Sequence, residues 1–229
     1  MQQPATPHYF SSRTCARAFT LVEMLIAVAI IAILAVMITP AIGNAIANAK
    51  AAKCVSNLRQ LGLMSNTYSA DFNNQFPWAW GAVSSWMESM VAHVDYGGDL
   101  AKARDAIAKE KVPSRCPVRS LSDAEYNTIN KKNYWYSYGI NYVNLGGGGT
   151  LQPPISRFSV KNPSKCVFLA DGKPETGWGY LVNPGWPDAH PADRHQGRSN
   201  VLWADGHVTS EDQAWLVAPA NRYLWQPNP

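Results

Sequence analysis

The chain has 229 residues, a formal net charge of +4, and 46% hydrophobic residues. This length accommodates one domain of ordinary size together with a membrane anchor. The positive charge is small and dispersed, which argues against a nucleic-acid partner. The nine Trp, ten Tyr, sixteen Pro and sixteen Gly residues predict a loop-rich domain packed by aromatic side chains.

An apolar stretch follows a polar N-terminal segment. Residues 1–18 include Arg13 and Arg17, whereas residues 24–49 contain no charged side chain. A membrane-spanning helix needs about 20 consecutive apolar residues, and positive residues beside such a helix stay on the cytoplasmic side. The sequence therefore predicts one transmembrane helix at about residues 20–42, with the N-terminus in the cytoplasm and the rest of the chain outside.

Glu23 is the one ionisable side chain at the start of the apolar stretch. A carboxylate within a membrane is energetically unfavourable and indicates a functional site. A secretory signal would have a shorter apolar region, of about 7–15 residues, and a cleavage site with small residues; the Ala-rich segment 45–51 would supply one. A simple signal anchor would explain the length of the stretch but not Glu23.

The sequence of residues 17–40, with a small residue at Ala18 followed by Phe-Thr-Leu-Val-Glu, resembles the N-terminus of type IV prepilins and type II secretion pseudopilins. The resemblance implies that prepilin peptidase cleaves after Ala18, where Gly is usual, and that the new N-terminal Phe19 is methylated. Glu23 would then be the fifth residue of the mature chain. In such proteins this carboxylate neutralises the N-terminal ammonium of a neighbouring subunit, because two charges in an apolar environment are tolerable only when paired.

The N-terminal helix is predicted to continue beyond the membrane, over residues 19–72. Pro40 interrupts helical hydrogen bonding, which predicts a bend or a locally melted turn. Apolar residues recur at three- and four-residue steps as far as about Ala70, at Val55, Leu58, Leu61, Met64, Tyr68 and Phe72. Asn73 and Asn74 then predict the end of the helix. The resemblance implies that residues 1–18 are a leader peptide, and we expect residues 73–229 to form the globular head.

Three of the four cysteines remain after removal of the leader, which contains Cys15. The exported head lies where disulfides are permitted, so we predict that Cys54 on the helix pairs with Cys116. Closing such a loop contributes about 2–4 kcal/mol. Cys166 begins an apolar run and is interpreted as a small buried core residue.

The head is predicted to contain short helices and an antiparallel sheet, which together with the long helix give a pilin-like α+β fold. Asp99 is a predicted helix N-cap, and Ser122 with Glu125 forms a capping-box pattern. The predicted helices are 86–94 and 99–109, and the predicted strands are 134–143, 167–170 and 200–204. A tight turn at Asp205 and Gly206 leads into a last strand.

A second pattern lies near the C-terminus at 195–206. His195, nine intervening residues and then Asp205-Gly206 resemble the processing-associated H-X9-DG family, one of the prepilin-type families. Three other segments resemble the same family, at 54–62, 137–141 and 169–172. The resemblance extends from Phe19 to about Thr209 without accounting for residues 78–112, and it implies a class of protein rather than an activity.

The same region contains a candidate site for a structural metal ion. Its candidate ligands are His195, Asp205, His207 and Asp171. Two imidazoles and two carboxylates suit Zn²⁺ or another transition ion. A purely structural interpretation stays open, in which Asp205 accepts hydrogen bonds within the turn and His195 bonds a backbone carbonyl or Asp205 across the hairpin.

The sequence contains no Gly-x-Ser-x-Gly, His-Glu-x-x-His or Walker motif, and we predict that the protein is not an enzyme. The resemblance implies a subunit of a type IV pilus-like or type II secretion filament. Its partners would be prepilin peptidase, other pilin or pseudopilin subunits and the membrane. It would reside in the inner membrane and then in a periplasmic or extracellular filament.

Two other functions stay open. One is a membrane-tethered extracytoplasmic module that binds a glycan or a metal and does not polymerise, for which Trp178, Trp186 and Trp225 are candidate aromatic contacts. The other is a metal-dependent enzyme built around His195 and Asp205.

Overall fold

The chain divides into two units, Met1–Ala45 and Ile46–Pro229, which are considered separately. The computed structural model describes residues 20–81, 84–118, 136–147, 152–173 and 181–228. The predicted capping box at Ser122 and Glu125 lies outside the described residues, as does the first part of the strand predicted at 134–143.

The N-terminal helix, α1, runs from Leu21 to Asp71, close to its predicted end. The helix is continuous across Pro40, so the predicted local melting does not occur. A proline removes one backbone donor, and the helical bonds on either side persist; the bend at this position stays a prediction. Asn73 and Asn74 adopt positive φ angles of 52° and 56°, a conformation that asparagine tolerates at helix ends.

Within the second unit, α1 packs its apolar face against the sheet. The fully buried residues of this face are Cys54, Leu58 and Leu61, and Tyr68 is nearly so. Gly62 lies so close to the sheet that an added Cβ would be 3.3 Å from the Leu202 side chain. The predicted apolar stripe is therefore the face that joins the helix to the head, except that Phe72 is partly exposed at its end.

Two short helices, α2 (Trp86–Tyr96) and α3 (Leu100–Ala108), confirm the predicted helical segments. Ser85 and Glu88 form a capping box at the start of α2. Asp99 caps α3, as predicted, by accepting a hydrogen bond of 3.0 Å from the Lys102 backbone. Both helices begin at these residues because a side-chain oxygen accepts hydrogen bonds from backbone N–H groups that the first helical turn leaves unpaired.

The sheet has five strands in the spatial order β3-β1-β2-β4-β5. The strands are β1 (Tyr138–Asn141), β2 (Val167–Asp171), β3 (Leu181–Val182), β4 (Arg198–Trp203) and β5 (Val208–Asp212). The α+β prediction is confirmed, but the sheet is mixed rather than wholly antiparallel, because β3 pairs parallel to β1. Strands β1 and β2 are antiparallel neighbours. After β2 the chain reverses direction, and β3 pairs with the other edge of β1.

The first strand is shorter than predicted, since the chain leaves the sheet after Asn141 in a turn over Tyr142–Gly146. The Ala79 backbone N–H donates to Gly146 O at 2.9 Å, so this turn bonds to the segment before α2 instead of to a strand. Gly139 permits the pairing of β1 with β3, because a Cβ there would lie 2.6 Å from the Leu181 carbonyl carbon.

The predicted hairpin at Asp205 and Gly206 is confirmed between β4 and β5. Gly206 has a φ of 98°, which glycine adopts without the steric penalty of a side chain. The Trp203 N–H donates to His207 O at 3.0 Å and closes the turn.

A short C-terminal helix, α4 (Gln213–Val217), and the following turn at Pro219–Trp225 complete the head. Their buried side chains Leu216, Leu224 and Trp225 pack with residues of β2, β3 and β4 in a core of their own. The main core, which includes the α1 residues, forms a separate cluster with β1, β2 and β4.

Candidate functional sites

The first site lies at the N-terminus of α1, where Thr20 and Glu23 form a capping box. Glu23 Oε2 accepts hydrogen bonds from the Thr20 backbone N–H at 2.9 Å and from Thr20 Oγ1 at 2.8 Å. The Glu23 backbone N–H donates in turn to Thr20 Oγ1 at 3.2 Å. The arrangement satisfies donors that the first helical turn leaves unpaired. Ala18 and Phe19 lie outside the described residues.

Sequence reasoning assigned Glu23 to assembly but missed its capping role. The Thr-x-x-Glu spacing at the start of an apolar helix is the signal that could have found it. A carboxylate in the first helical turn also interacts favourably with the positive end of the helix dipole. Glu23 thus stabilises the start of its own helix within the first unit.

The part of α1 in the first unit exposes its apolar side chains. More than half of the surface of Leu21, Met24 and Ile31 is accessible, as is that of many other apolar residues there. By its length and composition α1 is able to cross a membrane. Apolar surface of this extent marks a membrane or protein contact.

The second site is in the head, where Cys54 of α1 and Cys116 form the predicted disulfide, with their Cα atoms 5.2 Å apart. Both cysteines are completely buried. The bond links α1 to the segment that follows α3, across 62 residues of sequence. It therefore joins two elements whose association would otherwise depend on noncovalent packing alone.

His195 lies against this disulfide. Its Nε2 atom is 3.5 Å from Cys116 Sγ and 3.3 Å from Asp171 Oδ2, and its side chain is only 7% exposed. Asp171, at the end of β2, is fully buried, and its Oδ2 accepts a 2.7 Å hydrogen bond from the Asn200 backbone on β4. Burial of a carboxylate is tolerable only with such partners.

Asn57 and Tyr138 extend the same cluster. Asn57 Nδ2 donates to Arg115 O at 2.8 Å and to the Tyr138 hydroxyl at 3.2 Å. Burial, and secondarily the negative charge of Asp171, raise the pKa of Tyr138 above its ordinary value. Tyr138 therefore stays a neutral phenol at physiological pH.

We call this group the His195 cluster; its members are Cys54, Asn57, Cys116, Tyr138, Asp171 and His195. Four sequence patterns contribute to it, at 54–62, 137–141, 169–172 and 195–206. Residues far apart along the chain thus meet in one buried polar centre that connects α1, β1, β2 and the segment before β4. Their convergence was not evident from the sequence.

The four predicted metal ligands separate into two pairs. His195 faces Asp171, whereas His207 Nδ1 lies 2.6 Å from Asp205 Oδ1. Within the part of the chain that the structure describes, no three of these four side chains gather their ligand atoms within 4.8 Å of one another. The predicted four-residue set is therefore not brought together.

The strand β4 explains this separation. His195 precedes β4 and Asp205 follows it, and six extended residues span about 20 Å. The nine residues between His195 and Asp205 thus correspond to about one strand. The strand holds the two side chains apart, so the predicted hydrogen bond between His195 and Asp205 across the hairpin does not form. Asp205 does accept a turn hydrogen bond, from the His207 backbone at 3.1 Å.

The aromatic residues considered for glycan binding have different environments. Trp225 is 1% exposed, and its indole N–H donates to Leu216 O at 3.0 Å. It therefore fills the second core and is not the surface contact for a glycan that we predicted. Trp186 is 46% exposed and its ring centroid lies 5.7 Å from that of Tyr142. Trp178 lies outside the described residues.

Cys166 is a free, buried cysteine at the start of β2. Burial raises the pKa of its thiol to about 12. The thiolate is the reactive form of cysteine, so this residue is a core side chain, as predicted, and not a nucleophile.

Comparison with known proteins places one feature in context. Residues 13–39 match the family described as the prokaryotic N-terminal methylation motif. No curated protein and no solved structure matches the chain. The motif supports a prepilin-type, membrane-anchored subunit and covers the predicted cleavage position, the capping box and most of the apolar helix.

Proposed function

We propose that the protein is a structural subunit of a type IV pilus-like or type II secretion filament, cleaved by prepilin peptidase after Ala18 and methylated at Phe19. The observation that carries the proposal is the methylation motif at residues 13–39. The apolar helix that follows supports it, because Glu23 is the only charged side chain among residues 20–49. A subunit that polymerises through such a helix needs no catalytic residues.

Assembly uses the carboxylate of Glu23. Both hydrogen bonds from Thr20 reach Oε2, and among the described residues no donor reaches Oε1. The N-terminal ammonium of a neighbouring subunit is a donor for this oxygen, and its pairing with Glu23 offsets the unfavourable burial of both charges. Head-to-tail contacts of this kind do not close on themselves and generate a helical filament.

The subunit waits in the inner membrane with its head outside the cytoplasm, in contact with the peptidase and with other pilin or pseudopilin subunits. The buried disulfide and the His195 cluster hold α1 to the head. Force applied to the helix during extraction from the membrane is thereby transmitted to the folded domain.

The decisive experiment is the intact mass and N-terminal sequence of the protein isolated from membranes with and without active prepilin peptidase. A chain that begins at methylated Phe19 only when the peptidase is active supports the proposal. An uncut chain, or one cut near residues 45–51, contradicts it. Either result would instead favour a tethered or secreted module.

A further inference from the structure

We propose that the reduced chain binds one Zn²⁺ ion through Cys54, Cys116 and His195. The two sulfur atoms and His195 Nε2 all lie within 4.8 Å of one another. Zn²⁺ takes thiolate sulfur at about 2.3 Å and imidazole nitrogen at about 2.0 Å, so small side-chain movements bring all three atoms around one ion. This inference is independent of filament assembly.

The environment of the three residues is that of a structural zinc site. Cys54 and Cys116 are fully buried, and the His195 side chain is nearly so. Structural sites are closed, four-coordinate and rich in sulfur and imidazole ligands. A buried cluster held by α1, the segment after α3 and the segment before β4 matches that pattern better than the predicted set with Asp205 and His207.

Asp171 lies beside the three proposed ligands, although its carboxylate is not part of the group whose ligand atoms lie within 4.8 Å of one another. Its Oδ2 lies 3.3 Å from His195 Nε2, and its other oxygen, Oδ1, is buried without a hydrogen-bond partner among the described residues. An unsatisfied buried carboxylate oxygen is uncommon and calls for an explanation. A cation held by the two thiolates and His195 would lie near this carboxylate and offset its buried negative charge.

An opening in the surface leads towards the site. A cavity of about 250 Å³ is bordered by Cys116, Asn57, Lys53 and neighbouring residues. Cys116 thus borders a surface cavity, although its own side chain is fully buried.

The disulfide and the metal are alternative states of the same two sulfurs. Reduction by a phosphine transfers two electrons to the Sγ–Sγ bond, takes two protons from water, and leaves the phosphine as its oxide. Zn²⁺ then binds the two thiols with release of their two protons, since the thiolate is the ligand. In both states α1 is joined to the segment that contains Cys116, by a covalent bond in one and by metal coordination in the other.

The test uses the full chain in detergent micelles under anaerobic conditions, with and without phosphine reduction. Each sample is loaded with Zn²⁺, freed of excess metal and analysed for bound zinc. We expect one zinc per reduced chain and none per oxidised chain. Co²⁺ in place of Zn²⁺ should give the thiolate charge-transfer absorption of a tetrahedral sulfur site.

Matched variants locate the site. His195→Asn should weaken zinc binding by at least about tenfold, the loss typical even of residues that only support metal ligands. His207→Asn and Cys166→Ser remove the same side-chain types outside the cluster and should leave binding unchanged. Circular dichroism of each reduced variant confirms that its helices are retained.

The proposal is overturned if the reduced wild type retains no zinc, including the case in which it unfolds and zinc does not restore the fold. It is also overturned if His195→Asn binds zinc as tightly as the wild type, because the ion would then lie elsewhere.

Discussion

His195 is paired with Asp171 rather than with Asp205, through a 3.3 Å contact between Nε2 and Oδ2. The contact connects the segment before β4 to the end of β2, and it places the imidazole against the Cys54–Cys116 disulfide. The two residues belong to different sequence patterns, which the fold brings together. Removing either residue should disturb the head more than removing a residue of the exposed Asp205–His207 pair.

We expect His195→Ala to destabilise the head by about 3 kcal/mol, because it removes a contact of the buried Asp171 carboxylate, which then keeps the Asn200 N–H, and leaves a cavity beside the disulfide. His207→Ala removes an exposed partner of Asp205 and should change stability by less than about 1 kcal/mol. Urea denaturation of the two full-length variants in the same detergent measures both values. Equal losses of unfolding free energy in the two variants would show that the contact between His195 and Asp171 does not stabilise the head.

The disulfide closes a loop across 62 residues, and its removal in the double variant Cys54→Ala/Cys116→Ala should cost about 4 kcal/mol. The chief cause is the greater conformational freedom of the unfolded chain. Cys166→Ala removes one buried sulfur without opening a loop and should cost only about 1 kcal/mol. Thermal unfolding of the three chains compares the losses; a similar loss in both variants would contradict the loop-closure account.

Cys166 should resist alkylation in the folded protein. Burial raises the pKa of its thiol to about 12, so at pH 8 its thiolate fraction is about a thousandfold lower than that of an exposed cysteine. Reaction with iodoacetamide should therefore be slow in the native chain and fast in urea, as read from the mass of the peptide that contains Cys166. Rapid native alkylation at pH 8 would be inconsistent with its burial.

The charge of Glu23 and its capping role can be separated. Glu23→Gln keeps a side chain able to complete the capping box but lacks the negative charge, and we expect it to insert in the membrane and fail to enter filaments. Thr20→Val keeps the charge and removes the capping hydroxyl, and it should still assemble. Filament assembly is measured as the yield of sheared filaments from cells that express each variant.

If Glu23→Gln assembles normally while Thr20→Val does not, the carboxylate acts through its helix and not through a neighbouring ammonium. Membrane fractions from both strains provide the control that each variant is made and inserted.

Gly139→Ala should weaken the β1–β3 pairing, since the new Cβ would lie 2.6 Å from the Leu181 backbone. Such overpacking typically costs about 1–3 kcal/mol. Gly81→Ala meets its nearest atom at 3.5 Å and serves as the matched control with little expected change. Hydrogen exchange of the Leu181 and Val182 amides should quicken in the first variant alone.

Local features of the sequence determined the long helix, its end at Asn73 and Asn74, the caps of α2 and α3, and the hairpin at Gly206. Each depends on residues close together in the chain: a three- and four-residue periodicity, a side-chain oxygen beside unpaired donors, or a glycine at positive φ. The pairing of Cys54 with Cys116 was also predicted, because only three cysteines lie outside the predicted leader and one of them, Cys166, begins an apolar run.

Only the tertiary structure decided which polar residues meet. The spacing between His195 and Asp205 is the length of one extended strand, and an extended strand separates its ends. The order of strands in the sheet instead brought the end of β2 beside the start of β4, and so Asp171 beside His195. Sequence patterns identify such residues, whereas the path of the backbone through the sheet determines their partners.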